Sequence, residues 1–84
     1  MSEQNGNVRT LIEQIAKALV DEPDQVVVEQ VEDGPVSVLE LQVAPGDMGK
    51  VIGKQGRTVR AMRALVAAAG ERAQRRFNLE ILEE

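Results

Sequence analysis

The stretch Val51-Ile52-Gly53-Lys54-Gln55-Gly56-Arg57-Thr58 sets two glycines around a lysine and a glutamine, with a β-branched pair ahead and an arginine behind. Glycine permits a positive φ and lets a second piece of backbone come close. A tight turn is therefore expected over Gly53–Gly56. Met48, Val51 and Ile52 recur at three and four before it, which predicts a short helix of about two turns ending at Gly53. From Thr58 to Arg76, Val59, Met62, Leu65, Val66, Ala69 and Ala73 draw the apolar stripe of a long alanine-rich helix, with Gly70 as its weak point. That helix offers unpaired N–H groups and its positive dipole end to the turn, where Lys54 and Arg57 add full charges. Such a turn suits an anion.

Upstream, Val8, Leu11, Ile12, Ile15, Ala16 and Leu19 repeat at helical spacing, giving an amphipathic helix over Val8–Val20 with Asn7 as its cap. Residues 1–7 read as a flexible tail. Pro23 in Asp21–Asp24 keeps the helix from continuing. Two β-rich runs follow, Gln25–Glu32 and Val36–Val43, separated by the turn signal Glu32–Pro35. In the second run Leu39, Leu41 and Val43 face one way and Glu40 and Gln42 the other, so one face is buried and one is wet. Ala44–Asp47 breaks it. A last strand is expected in "FNLEILEE", from Phe77 to Glu84. The order is α-β-β-α-α-β: an α+β domain over residues 8–84, with helices packed on one face of a three-stranded mixed sheet. The two helices between the second and last strands allow those strands to lie parallel and adjacent.

The 84 residues suit one small domain without a deep enclosed active site. Phe77 is the only aromatic residue, and cysteine and histidine are absent. Thiolate metal sites, disulfides and the commonest general base are therefore excluded. Ser2 and Ser37 have no histidine to activate them, so catalysis is not expected. Nothing in the sequence asks for a cofactor or a metal. No apolar run reaches a membrane span, so no membrane contact is expected and the cytoplasm is the expected location. The net charge of −4 is unevenly spread. Lys50–Arg76 holds eight basic residues against Glu71 alone, whereas the rest of the chain has Arg9 and Lys17 against thirteen acids. One face can thus meet a polyanion although the whole is acidic.

A bare G-x-x-G is weak; Gly46-Asp47-Met48-Gly49 matches it too, and reads as a helix-entry turn. A nucleotide P-loop is excluded, because three residues rather than four separate Gly49 from Gly53 and no Ser or Thr follows Lys54. The longer stretch "VAPGDMGKVIGKQGRTVRAMRALVAAAG" resembles the core of a type II KH domain, and at this length the chain is similar to the small free-standing bacterial KH proteins of the KhpA family. That resemblance implies single-stranded RNA binding by a loop that clamps the backbone of about four nucleotides. The loop here is Gly53, Lys54, Gln55 and Gly56. Arg57, Arg60 and Arg63 then become candidate phosphate contacts, with Lys50 beside them, and Ile52 the candidate to face a base. Val51, Ile52, Val59 and part of Leu39–Val43 would floor the groove, although core packing is the simpler role for most of them. Arg72, Arg75 and Arg76 read as a solvated helix end. The resemblance further implies homodimers, a complex with a larger RNA-binding protein of the KhpB or Jag type, and a role as RNA chaperone or post-transcriptional regulator affecting cell envelope synthesis and cell length. The competing reading is a protein-interaction module with the glycine loop in a dimer interface.

Overall fold

Period-two alternation along Val36–Gln42 places Ser37, Leu39 and Leu41 on one side of a strand, and all three are fully buried. This strand, β2, is the middle of the sheet. The computed structural model describes residues 2–82, with side chains from Val8 onward, and Glu83 and Glu84 of the expected last strand lie outside that range. The order is α1 (Ser2–Leu19), β1 (Val27–Asp33), β2 (Val36–Gln42), α2 (Met48–Ile52), α3 (Arg57–Ala73) and β3 (Arg76–Ile81), joined in part by single 3₁₀ turns. β1 pairs antiparallel with β2 through the Gly34–Pro35 turn, and β2 pairs parallel with β3. The α+β class, the element order and the parallel crossover follow the expectation from the sequence.

One face of the sheet is closed by the helices. Val8, Ile12 and Ala16 of α1, Val51 of α2, and Met62 and Val66 of α3 pack with Val28, Leu39, Leu41, Phe77 and Leu79 into one aliphatic core. Burying such side chains contributes roughly 1.5–3 kcal/mol each. Leu11, Leu19 and Leu65 were expected within the helical stripes, yet each stays substantially exposed. A helix lying on one face of a small sheet touches it along only a narrow stripe, so stripe residues at its margin remain in water. α1 begins at Ser2, not Val8, and Asn7 lies inside it instead of capping it. The segment 2–7 contains no proline, and a helix anchored by Val8 and Ile12 can propagate backward through polar residues.

Both outer strands leave backbone groups unpaired. Leu82 N–H donates to Leu41 O at 2.8 Å, which fixes even-numbered β3 residues as those bonding inward and turns Leu79 O outward. Arg63 Nε donates to that carbonyl at 3.4 Å. On the opposite edge Arg9 donates to Val28 O at 3.2 Å. Each edge thus has a helix-borne guanidinium over it, a device that opposes strand addition.

The far end of α3 is tied down by Arg75, which the sequence placed in a solvated helix end. α3 stops earlier than expected, at Ala73, and Gln74 turns the chain with φ 57°. Arg75 donates to Ser37 Oγ and Glu32 Oε1, both at 2.6 Å, and its guanidinium lies 6.0 Å from the Phe77 ring centre. Ser37 Oγ in turn donates to Glu32 Oε1 at 2.9 Å. The hydrogen bonds from Gln30 and Ser37, with the charge of Arg75, hold the Glu32 carboxyl below its ordinary range. Gly70 explains how the chain reverses so tightly. Its carbonyl accepts the Arg75 N–H at 2.8 Å, and a Cβ there would lie 2.6 Å from Arg75 O and 3.0 Å from Phe77. Helix propensity alone would make Gly70→Ala stabilising by about 1 kcal/mol. The crowding reverses the sign: we expect a loss of about 1–3 kcal/mol in chemical denaturation, and an unchanged or raised midpoint would refute the close approach.

Candidate nucleic-acid interface

The loop between α2 and α3 turns through positive φ at three of its four positions, one of them a conformation essentially reserved for glycine. Gly53 has φ 78° and ψ 171°, and Gly56 has φ 74° and ψ 14°. The first lies in a region essentially reserved for glycine. A Cβ on Gly53 would also press into Thr58, 2.7 Å from its Cβ and 2.9 Å from its backbone nitrogen. Gln55 is left-handed as well, at φ 57° and ψ 27°. The turn is closed by Gly53 N–H donating to Gly49 O at 2.9 Å and Gly56 N–H donating to Gly53 O at 3.1 Å. Lys54 and Gln55 open the turn, so their N–H groups precede the first carbonyl it can offer.

Around this turn Ile52, Lys54, Gln55, Arg57 and Arg60 are exposed, and Gly53 and Gly56 are half-buried. Lys54 and Arg57 make no ion pair among the described residues. Arg60 is fastened to the loop itself: its Nη2 donates to Gln55 O at 3.0 Å and its Nε to Gly56 O at 3.4 Å. It therefore braces the turn while adding positive charge beside it. Arg63 is drawn to the β3 edge instead. The intended apolar floor lies in the core: Val51, Leu39 and Leu41 are 0 % exposed, Val43 and Val59 nearly so. Ile52, at 37 %, is the one aliphatic side chain of that set open to a ligand.

Lys50 is placed differently from its neighbours. Its ammonium lies 3.2 Å from Asp21 and 3.6 Å from Asp47. Hydrogen bonding to Asp21 and the charges of both acids outweigh desolvation and raise its pKa above the ordinary lysine value. Asp47 is 3 % exposed and accepts the N–H groups of Asp21 and Glu22 at 3.3 and 3.1 Å. Its burial disfavours the anion, but those two amides and Lys50 together overcome this and lower its pKa. This clamp ties the chain after α1 to the start of α2, and so sets the platform from which the loop projects. Sequence reasoning read Asp47 as part of a strand break and of a helix-entry turn, not as a buried acid. An acid three residues ahead of a lysine was the available signal, and it is a weak one.

With that geometry in view, comparison with known proteins assigns the chain. The family described as KhpA/KhpB, KH domain, matches residues 9–81. The chain belongs to this family. It is 53% identical over 76 residues to the RNA-binding protein KhpA of Halalkalibacterium halodurans, covering 90% of this chain and 100% of that protein. It is 51% identical over 72 residues to the RNA-binding protein KhpA of Caldanaerobacter subterraneus subsp. tengcongensis, covering 86% and 96%. Against the RNA-binding protein KhpA of Aquifex aeolicus the identity is 46% over 76 residues, covering 90% and 96%. Among the described residues, no helix of this KH domain is long and apolar enough to cross a membrane.

The two glycines differ in what they tolerate. Gly56→Ala should cost about 1–2 kcal/mol, the ordinary left-handed penalty. Gly53→Ala adds a clash with Thr58 and should cost visibly more, a ranking that paired denaturant titrations read directly. The clamp gives a pH signature. Asp47 is depressed in the folded state, so its contribution is complete above the usual aspartate range and fades as pH falls through it. Asp47→Asn should therefore lower the melting temperature at neutral pH, with the gap to wild type closing below about pH 4. A gap that persists at acid pH would place the effect in packing and not in charge.

Proposed function

We propose that this chain is a single-stranded RNA-binding protein, a binder and not an enzyme, that seats the phosphate backbone across Gly53–Gly56. The observation that carries the reading is the exposed, glycine-dependent turn at the start of α3, flanked by two uncompensated cations and one open aliphatic side chain. The naming of its relatives as RNA-binding proteins supports it. In this arrangement Lys54 and Arg57 meet phosphates, the loop amides add donors, Arg60 holds the loop in shape, and Ile52 packs against a base. Lys50 serves the clamp. With so few phosphate contacts and no aromatic platform, one copy binds weakly, and salt weakens it further. Useful affinity then comes from avidity, as a homodimer or beside a larger KhpB/Jag-type partner. The cellular role proposed on this basis is that of a cytoplasmic RNA chaperone or post-transcriptional regulator, with cell envelope synthesis and cell length as the processes to test.

Fluorescence anisotropy of a labelled single-stranded RNA at several salt concentrations tests the loop. Gln55 is already left-handed, where a short polar residue is tolerated, so a Lys54→Asp, Gln55→Asp variant should keep its fold. We expect it to lose about tenfold or more in affinity, the effect of a reversed charge at a phosphate contact, with its oligomeric state unchanged. Equal binding would refute the loop as clamp, and loss of the dimer would favour the protein-interaction reading. The slope of log affinity against log salt separates the lysine roles. Arg57→Gln should reduce it by about 0.7, one phosphate contact on a single strand, whereas Lys50→Gln should leave it unchanged.

A further inference from the structure

We propose that the open face of the sheet docks a basic helical segment of a partner protein, independently of the RNA loop. The helices cover only one side of the sheet. Val27, Glu29, Val31 and Asp33 of β1 point the other way, with Val36, Val38, Glu40 and Gln42 of β2 and Arg76, Asn78 and Glu80 of β3. The register aligns Glu29 with Glu40 and Glu40 with Glu80, one carboxylate per strand in a straight row. Val31, Val38 and Asn78 form the next row. Val27 and Val31 are 45 % and 43 % exposed, which makes the face part apolar and part acidic.

Like charges directly opposite one another weaken a sheet. None of the three glutamates pairs with a cation among the described residues. The one basic residue on this face, Arg76, lies two rows away beside Val36. Among the described residues, no group of acids is arranged to hold a metal. The row therefore has a cost for the fold and no internal counter-charge, which leaves it open to a cationic partner.

Charge selects the occupant. Nucleic acid and anionic lipid are repelled. A second copy placed face to face would set glutamate row against glutamate row. Strand addition at either edge is opposed by Arg9 and Arg63. Three strands of six or seven residues cover about 10 by 20 Å, far less than the roughly 800 Å² per partner of a standard interface, so the face fits one segment and not a whole domain. Strand spacing puts the outer carboxylates about 10 Å apart. Lysine or arginine at positions i, i+3 and i+7 of a helix spans about 10.5 Å, and small apolar residues beside them meet Val31 and Val38. The loop stands on the helical layer, so RNA and partner can be held together.

The test uses the full chain, isotopically labelled, titrated with a synthetic helical peptide carrying lysine at i, i+3 and i+7 among alanine and leucine. A peptide of the same composition in scrambled order is the control. We expect amide shifts concentrated at Glu29, Val31, Val38, Glu40 and Glu80. The Glu29→Gln, Glu40→Gln, Glu80→Gln variant should bind about tenfold more weakly, the scale of a few exposed ion pairs, and should melt at a higher temperature because the repulsion is gone. The proposal is overturned by shifts centred elsewhere, equal binding of the scrambled peptide, unchanged affinity in the triple variant, or a lower melting temperature that makes the row structural. Single-stranded RNA added to the same sample should leave these amides unmoved, and movement there would assign the face to RNA instead.

Discussion

β2 and β3 lie side by side and run the same way, so the chain leaving one must travel back along the sheet before it can enter the other. Everything between Val43 and Arg75 answers that demand. α3 makes the return journey, and α2 turns the chain from the end of β2 into it. α2 ends at Ile52 and α3 begins at Arg57, which leaves room for a tight turn but not for a longer loop. Gly53 makes the turn feasible by letting its backbone rest against Thr58. The projecting basic loop is thus the geometric by-product of a parallel crossover in a very small sheet. The core and the site share the same helices: Val51 points inward and Ile52, next in sequence, points out.

The periodicities of the sequence carried most of this fold because each element has a single buried stripe against one sheet. The parallel crossover was legible for the same reason: helices of this length between two strands leave few other connections. What the sequence hid were features that depend on where two distant segments meet. Gly70 looked like a flaw in a helix, and only the position of Arg75 O reveals it as the point where the chain folds back on itself. Arg75 looked like a solvated charge, but its partners Glu32 and Ser37 come from the hairpin. The helical stripes of α1 and α3 did not say which members would sit at the margin, so Leu11 and Leu65 were read as core.

The basic segment shows the same limit in charge. Lys50 and Lys54 are four residues apart and indistinguishable by composition. One is held between Asp21 and Asp47, and the other stands in water at the loop. The difference arises because α2 starts beside the chain that follows α1, where two backbone amides have already drawn a buried carboxylate. A count of eight cations therefore overstates the field that a ligand meets. Lys54 and Arg57 face solvent without a partner, Arg60 is shared with loop carbonyls, and Arg63 and Arg75 are engaged elsewhere.

The guanidinium groups over the sheet edges have a temporal side. Arg9 reaches Val28 from α1 and Arg63 reaches Leu79 from α3, so neither edge is shielded until its helix has docked. A nascent or partly unfolded chain with its hairpin formed but its helices loose presents valine-rich strands with bare backbone on both sides. The hazard of intermolecular pairing therefore belongs to the half-folded molecule and disappears in the native one. In a domain this small, the speed with which the helices close over the sheet is itself a form of protection.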